Sequence, residues 1–248
     1  MVPSVALFVT CVADQLFPDT AMATVRLLER AGVKVEFPEG QTCCGQPAVT
    51  AGEPDAAARL ARHHLDVFAP YDAVVAPSGS CAAMVRHHYA RLLPDRRAEV
   101  DALAARTFEL TQFLVDVLQV DDLGVRLDAS VTVHDACHGL RTLGVGGAPR
   151  TLLVRAGATI VEMTESDTCC GFGGVFAMTY PEVSTHLADA KLGYALATRA
   201  DYLVSTDLAC LMHLDGRRTR VDGRRTRVDG RTGPQPVHVA DLLASGLT

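Results

Sequence analysis

Short apolar segments rich in β-branched residues alternate along the chain with longer segments of helical periodicity. The short segments predict six strands, three in each half of the chain: 4–10, 33–38, 73–77, 130–135, 159–164 and 202–206. Helical patterns lie between them, over 19–31, 54–68, 149–156 and 181–199. This alternation predicts an α/β fold with parallel sheets and right-handed crossovers.

The eight cysteines repeat one pattern in the two halves of the chain. In each half a single cysteine is followed after 32 positions by a Cys-Cys-Gly motif, and then by a fourth cysteine. The two sets are Cys11, Cys43, Cys44 and Cys81, and Cys137, Cys169, Cys170 and Cys210. The first three members of each set are 126 residues from their counterparts, and the fourth is 129 residues away. An internal repeat of this kind predicts two similar structural units.

The repeat predicts two pseudo-symmetric α/β domains, each built on a small parallel sheet. We expect domain 1 to span 1–122 and domain 2 to span 123–248, with the boundary in a polar turn. Every cysteine comes at or beyond the end of a predicted strand, and the C-terminal strand edge is where open parallel sheets bind ligands. The four cysteines of each domain are therefore expected to converge at that edge.

Composition narrows the class of protein. Of the 248 residues, 48% are hydrophobic and 21% are charged, which is typical of a globular chain. No apolar run approaches the ~20 residues of a membrane span, and the N-terminal segment predicts a strand and not a signal peptide, so we expect a cytoplasmic protein. A formal net charge of −6 argues against general nucleic-acid binding.

The cysteine pattern favours a metal centre over other cysteine chemistry. Without an export signal, disulfides are disfavoured, and a thioredoxin-like dithiol would need a C-x-x-C motif that the chain lacks. Adjacent cysteines with long spacers suit ligands to different irons, and four thiols per repeat suffice for one cubane-type cluster. Structural zinc is the alternative, since four thiolates also suit it, although the usual C-x₂₋₄-C knuckles are missing.

The two motifs, Cys43-Cys44-Gly45-Gln46-Pro47 and Cys169-Cys170-Gly171-Phe172-Gly173-Gly174, resemble the cysteine-rich CCG domain. This domain occurs in heterodisulfide reductase, in the iron–sulfur protein of glycolate oxidase and in lactate utilization protein A. The Phe-Val-Thr-Cys start, Phe37-Pro38 and Asp167-Thr168 make the chain most similar to the lactate utilization protein A family.

The resemblance implies an iron–sulfur electron-transfer subunit of a complex that oxidises L-lactate to pyruvate. It implies an iron–sulfur cluster of the 4Fe–4S type in each repeat, held by the eight cysteines. The expected partners are subunits of the lactate utilization protein B and C types, and a small 2-hydroxy acid would be the substrate of the complex.

One departure from the family pattern bears on the cluster type. The heterodisulfide reductase form usually ends each motif in C-x-x-C, whereas Ser78 and Asp207 stand at the first cysteine position here. The missing cysteines therefore argue against clusters with five thiolate ligands and against heterodisulfide reduction as the activity. Coordination by an oxygen of Asp207 stays an alternative. The alternatives are another CCG oxidoreductase, acting on glycolate or a thiol pair, and a non-redox protein with two structural zincs.

Three polar residues near Cys137 are the catalytic candidates. His134 and His138 flank this cysteine, and they are expected to hydrogen-bond cluster sulfurs, tune the potential or handle substrate protons. The alternative is that these histidines have no functional role and only cap the end of the strand, with an imidazole exposed at the surface. Arg141 suits bidentate carboxylate binding, or else a surface ion pair. The first repeat has no such histidines, so the second site is expected to be the more reactive one.

The remaining motifs receive structural interpretations. The histidine pairs 63–64 and 87–88 are predicted to be packing or surface residues, and Gly171, Gly173 and Gly174 predict no nucleotide or flavin site. An Arg-rich duplicated loop, 215–231, carries seven Arg and three Asp. It is either a basic docking surface for an acidic partner or, as we favour, a tandem duplication in a tolerant surface hairpin.

Overall fold

Two four-stranded parallel sheets form the frame of the protein in the computed structural model, which describes residues 4–220, 227–228 and 231–247. The first sheet contains β1 (Ser4–Leu7), β2 (Lys34–Glu36), β3 (Val74–Ala76) and β4 (Thr107–Glu109), in the order β2-β1-β3-β4. The second contains β5 (Ser130–Val133), β6 (Thr159–Ile160), β7 (Tyr202–Ser205) and β10 (Gln235–His238), in the order β6-β5-β7-β10. The strand order of the two sheets is therefore the same.

Helices connect the strands of each sheet. Those of the first half are α1 (Cys11–Leu16), α2 (Pro18–Arg30), α3 (Gln46–Thr50), α4 (Pro54–Phe68), α5 (Gly79–Ala83), α6 (Tyr89–Leu92), α7 (Arg97–Ala104) and α8 (Leu110–Gln112). Those of the second half are α9 (Gly147–Arg155), α10 (Val175–Thr179), α11 (Pro181–Ala197), α12 (Leu208–Arg220) and α13 (Val239–Ser245). The described part of the chain also contains three π-helical turns, Met84–His88, Phe113–Val117 and His138–Thr142, and a 3₁₀ turn, Pro94–Arg96. This architecture confirms the predicted fold class.

The predicted elements differ from the observed ones mainly at their ends. Each of the six predicted strands is present but shorter, because the chain leaves the sheet to bring the cysteines to its edge. The segment predicted as a strand over 159–164 pairs only at Thr159–Ile160, and Glu162 beyond it is bound by Arg150 instead. The edge strands β4 and β10 were not predicted.

The two halves share one hydrophobic core. Its largest cluster takes residues from both sheets and from helices of both halves, among them Leu27, Phe113, Val131 and Leu242. Helix α13 of the second half packs on α2 of the first, and α8 with the turn after it packs on α9. The domain boundary predicted between residues 122 and 123 falls in the connection 119–129, which has no helix or strand, and it stays a prediction.

The Arg-rich segment is not a loop throughout. Helix α12 continues to Arg220, so the first part of the segment 215–231 is helical, with Arg217 paired to Asp189 of α11. Farther along, β8 (Arg227–Val228) and β9 (Arg231–Thr232) form an antiparallel pair. Residues 221–226 and 229–230 lie outside the described part of the chain. Among the described helices, none has the length and apolar character needed to cross a membrane.

Candidate metal centre

The four cysteines of the first half converge at the C-terminal edge of the first sheet. Cys11 begins α1 after the short connection that follows β1, Cys43 and Cys44 lie in the loop after β2, and Cys81 is the third residue of α5 after β3. The Sγ atoms of Cys11 and Cys43 are 3.5 Å apart, as are those of Cys44 and Cys81. The predicted convergence is therefore present in this half.

The second half brings its four cysteines together in the same way. Cys137 follows β5, Cys169 and Cys170 follow β6, and Cys210 is the third residue of α12 after β7. The Sγ atoms of Cys170 and Cys210 and a ring nitrogen of His134 all lie within 4.8 Å of one another. The second set thus has a nitrogen donor beside its sulfurs.

The glycine of each Cys-Cys-Gly motif lets the loop close around its first thiol. Gly45 and Gly171 have φ angles of 88° and 89°, a left-handed conformation that glycine adopts without strain. Their backbone N–H groups point at the sulfurs of Cys43 and Cys169, at 3.5 and 3.3 Å. A donor aimed at a sulfur stabilises its thiolate, which is the form that binds metals.

The thiols of each set share their protons unequally. Hydrogen bonds from Cys11, Cys44 and Gly45 lower the pKa of Cys43 to about 2. Corresponding bonds from Cys137, Cys170 and Gly171 lower the pKa of Cys169 to about 2. The same hydrogen bonds, aided by burial, raise the pKa values of Cys11 and Cys137. Each set therefore offers one ready thiolate, and loss of the other protons needs a bound cation to offset the negative charge.

Both sets of cysteines line one cavity between the two halves. All eight cysteines contribute to its wall, together with Gln46 and Pro47 of the first half and His138 and Asp207 of the second. The halves meet closely beside it, where Gly79 N donates to Thr206 O at 3.3 Å. The sequence repeat predicted two cysteine sites, and in the structure both of them line the same cavity.

His134 lies buried behind the second cysteine set. It follows β5, and neither ring nitrogen has a hydrogen-bond partner among the described residues. Burial lowers its pKa to about 4, so the imidazole is neutral near pH 7. A neutral imidazole with both nitrogens unpaired is suited to bind a metal or to donate to a sulfur.

His138 and Arg141 differ in their relation to the cavity. His138 lines it, with Nδ1 at 3.6 Å from Cys137 Sγ and Nε2 at 3.1 Å from Nε2 of Gln46 in the opposite half. Arg141 lies outside the cavity wall, where its exposed guanidinium donates to the backbone oxygen of Asp167 at 2.9 Å and lies 3.6 Å from the Asp167 carboxylate. The surface ion pair that was the alternative for Arg141 is therefore present.

Ser78 and Asp207 cap the helices that carry the last cysteine of each set. The Ser78 hydroxyl accepts from Cys81 N at 3.3 Å, and one Asp207 carboxylate oxygen accepts from Ala209 N at 3.2 Å. The other oxygen of Asp207 accepts from Ser80 N at 2.9 Å and from the Ser78 hydroxyl at 3.4 Å. These positions hold the two halves together in place of a fifth cysteine.

Two residues beside the cysteines, Lys191 and Gln46, were not among the predicted site residues. The bond from Gln46 to His138 crosses between the halves, which no local pattern reveals. Lys191 is fully buried on α11 near the second set. The residues of α11 do not separate into an apolar and a polar face, so the sequence pattern does not mark Lys191 as buried. His64 was predicted to pack or to lie on the surface, and it is buried among aromatic rings.

The fold and the cysteine sets define an α/β protein with two tandem cysteine-rich units. The family model described as "Cysteine-rich domain" matches residues 5–86 and 131–215. Lactate utilization protein A of Exiguobacterium sp. is 46% identical over 221 residues, which are 87% of this chain and 90% of that protein. Its counterpart in Geobacillus kaustophilus is 46% identical over 220 residues, 88% of this chain and 92% of that protein. The chain belongs to the lactate utilization protein A family, which confirms the resemblance predicted from the motifs.

Proposed function

We propose that the protein is the iron–sulfur electron-transfer subunit of a complex that oxidises L-lactate to pyruvate. The observation that carries this proposal is the convergence of two sets of four thiols on one cavity, in a chain whose relatives are named lactate utilization protein A. Each set would hold one 4Fe–4S cluster: Cys11, Cys43, Cys44 and Cys81 the first, and Cys137, Cys169, Cys170 and Cys210 the second.

The donor set fits such a group. Each half supplies four sulfurs from three separate segments, and backbone N–H groups already face two of these sulfurs. Iron–sulfur clusters supply one-electron steps, whereas oxidation of a hydroxyl-bearing carbon to a carbonyl releases two electrons. The protein itself would hold the thiolates and bury Cys44, Cys81, Cys170 and Cys210 away from water. It would also bring both cysteine sets to the wall of one cavity.

We assign the polar candidates by their placement. The neutral His134 would donate to a sulfur or act as a nitrogen ligand in the second site. His138, on the cavity wall, is the better placed residue to accept a proton from a 2-hydroxy acid. Arg141 would contribute carboxylate binding only by leaving Asp167. The expected partners are lactate utilization protein B- and C-type subunits, and the expected compartment is the cytoplasm.

One observation favours structural zinc as a second candidate. With Zn–S bonds of ~2.3 Å, tetrahedral geometry separates ligand sulfurs by roughly 3.8 Å. The 3.5 Å pairs Cys11–Cys43 and Cys44–Cys81 are close to that value. A zinc protein would not transfer electrons, so metal analysis separates the two candidates.

The test is anaerobic purification followed by iron, zinc and acid-labile sulfide counts and EPR after dithionite reduction. We expect about eight irons and about eight sulfides per chain, matching two four-iron clusters. Zinc without sulfide would overturn the electron-transfer proposal. In the assembled complex, reduction of the clusters by L-lactate but not by glycolate or a thiol pair would separate this function from those of other CCG oxidoreductases.

A further inference from the structure

Helices α4 and α11 pack behind the two Cys-Cys-Gly loops in equivalent ways. Gly45 lies against Ala57 and Leu60 of α4, and Gly171 lies against Ser184 and Leu187 of α11. Ala57 and Ser184 are 127 residues apart, and so are Leu60 and Leu187. The two helices are therefore counterparts in register, and each position on one has a partner on the other.

The same spacing of 127 residues pairs His64 of α4 with Lys191 of α11. Both side chains are almost completely buried, at 1% and 0% exposure. Each lies beside its cysteine set: His64 contacts the ring of Tyr89, whose hydroxyl donates to Cys44 O, and Lys191 bonds the loop that leads into Cys169. At this position the two helices thus place basic side chains of different kinds behind the two sets, and the second set also has His134 beside it.

The residue behind the first set is uncharged. His64 packs between aromatic rings, with ring centroids at 4.6 Å from Phe8, 4.3 Å from Phe68 and 5.5 Å from Tyr89. Neither of its ring nitrogens has a hydrogen-bond partner among the described residues. Burial lowers its pKa to about 3, so the ring carries no charge near neutral pH.

The residue behind the second set is a cation with neutral partners. Lys191 Nζ donates to the backbone oxygens of Glu165 and Ser166, at 2.5 and 3.1 Å. These oxygens belong to the loop that leads into Cys169. Burial lowers the pKa of Lys191, while Cys170, Asp167 and Asp135 oppose that shift.

The acidic groups near Lys191 have arginine partners of their own. Asp135 accepts two hydrogen bonds from Arg150, at 2.7 and 2.8 Å, and the Asp167 carboxylate lies 3.6 Å from Arg141. Among the described residues, no carboxylate forms an ion pair with Lys191, so the field of its ammonium charge acts on the loop that carries the second cysteine set. A fixed positive charge at low dielectric favours the more negative state of a nearby redox centre.

We propose that Lys191 holds the reduction potential of the second cluster above that of the first, so that electrons entering the first cluster pass to the second. This inference rests on the proposed function. In this step one electron would pass from the reduced first cluster to the oxidised second cluster. No bond would form or break, and no proton would be transferred. Lys191 acts through the electrostatic effect of its charge on the second cluster, and it does not coordinate the iron.

The test is a potentiometric titration of the anaerobically purified full-length protein, followed by EPR. Cys44→Ser and Cys170→Ser variants assign each signal to its cluster. In the wild type we expect the second cluster to be reduced at the higher potential. Lys191→Gln, which keeps a hydrogen-bond donor but removes the charge, should lower the potential of the second cluster alone. Lys191→Arg should restore it, and the matched control His64→Gln should leave the second cluster unchanged.

Three outcomes would contradict the inference. It fails if the wild-type second cluster has the lower potential, or if Lys191→Gln with full iron and sulfide leaves both potentials unchanged. It also fails if Lys191→Gln shifts both clusters equally, since the effect would then not be local. Absence of iron and sulfide from the wild type would overturn the proposed function itself, which distinguishes that failure from the other three.

Discussion

The carboxyl group of Glu109 ends strand β4 and caps the helix that follows. One of its oxygens accepts from Thr111 N at 2.8 Å, from the Thr111 hydroxyl at 2.5 Å and from Gln112 N at 3.1 Å. The other oxygen is buried without a partner among the described residues. Burial raises the pKa of this carboxyl to about 7, so it holds a proton in the folded protein at mildly acidic pH.

This shift predicts a pH-dependent stability. Because the folded pKa of about 7 exceeds the ordinary value of 4.5, the folded state binds more protons than the unfolded state between these values. The stabilising contribution is therefore full below about pH 4.5 and is lost as the pH rises through 7. Glu109→Gln should remove this dependence, which amounts to about 3 kcal/mol. Denaturant midpoints measured from pH 5 to 8 test this, with the exposed Glu182→Gln as a control that keeps the wild-type slope. An unchanged slope in Glu109→Gln would show that Glu109 is ionised throughout.

At the residue scale, the sequence predicted which cysteines come together but not what surrounds them. The cysteines could be placed together because each follows a strand of a parallel sheet, and such strand ends share an edge. The pairing of His64 with Lys191 needed the helix register, which depends on where α4 and α11 pack. The Gln46–His138 contact needed the relative placement of the halves, about which an internal repeat carries no information.

At the element scale, each Cys-Cys-Gly loop is fixed by the helix behind it. A Cβ added at Gly171 would lie 2.3 Å from Ser184 O, which is backbone, whereas one added at Gly45 would lie 3.4 Å from Leu60 Cβ. Both glycines have positive φ, so alanine at either position is strained. At Gly171, unlike at Gly45, the neighbouring backbone also leaves no room for a side chain.

These distances predict unequal effects of the same substitution in the two loops. Gly45→Ala should cost about 1–2 kcal/mol, the ordinary penalty of a left-handed alanine. Gly171→Ala should cost more, and it should lower the iron content by about half because the second loop cannot close. Thermal unfolding and iron analysis measure both effects. The control is Gly193→Ala in α11, which meets nothing within 4 Å and should be neutral or slightly stabilising. Equal losses in the two loops would contradict the packing argument.

Sequence patterns did not predict the edge strands β4 and β10 or several helices, α12 among them. Strands β4 and β10 include the polar residues Thr107, Glu109 and Gln235, so neither has the apolar run that indicates an inner strand. They exist because β3 and β7 each offer a free edge for parallel pairing. The long amphipathic helices α2 and α4 were predicted within a residue of their ends, since both open at a proline-containing first turn and bury one face.

At the scale of the whole molecule, the halves are joined by exchanged helices. The last helix of the second half, α13, packs on α2, and the Thr20 hydroxyl donates to Asp241 at 2.7 Å across this contact. The region after β4 packs reciprocally on α9. The cavity shared by the two cysteine sets depends on this arrangement, because it fixes the two sheet edges relative to each other.

The exchange predicts that the halves unfold as one unit. Leu243 of α13 is 1% exposed and belongs to the core that both halves share. Leu243→Ala should cost about 2–5 kcal/mol, and it should lower hydrogen-exchange protection equally in β3 of the first half and β7 of the second. Val154→Ala, at a 58% exposed position of α9, is the control and should change protection by no more than about 0.5 kcal/mol. Loss of protection in β7 alone would mean that the halves open independently. The two cysteine sets could then separate without global unfolding, and the common cavity would be a feature of only part of the native ensemble.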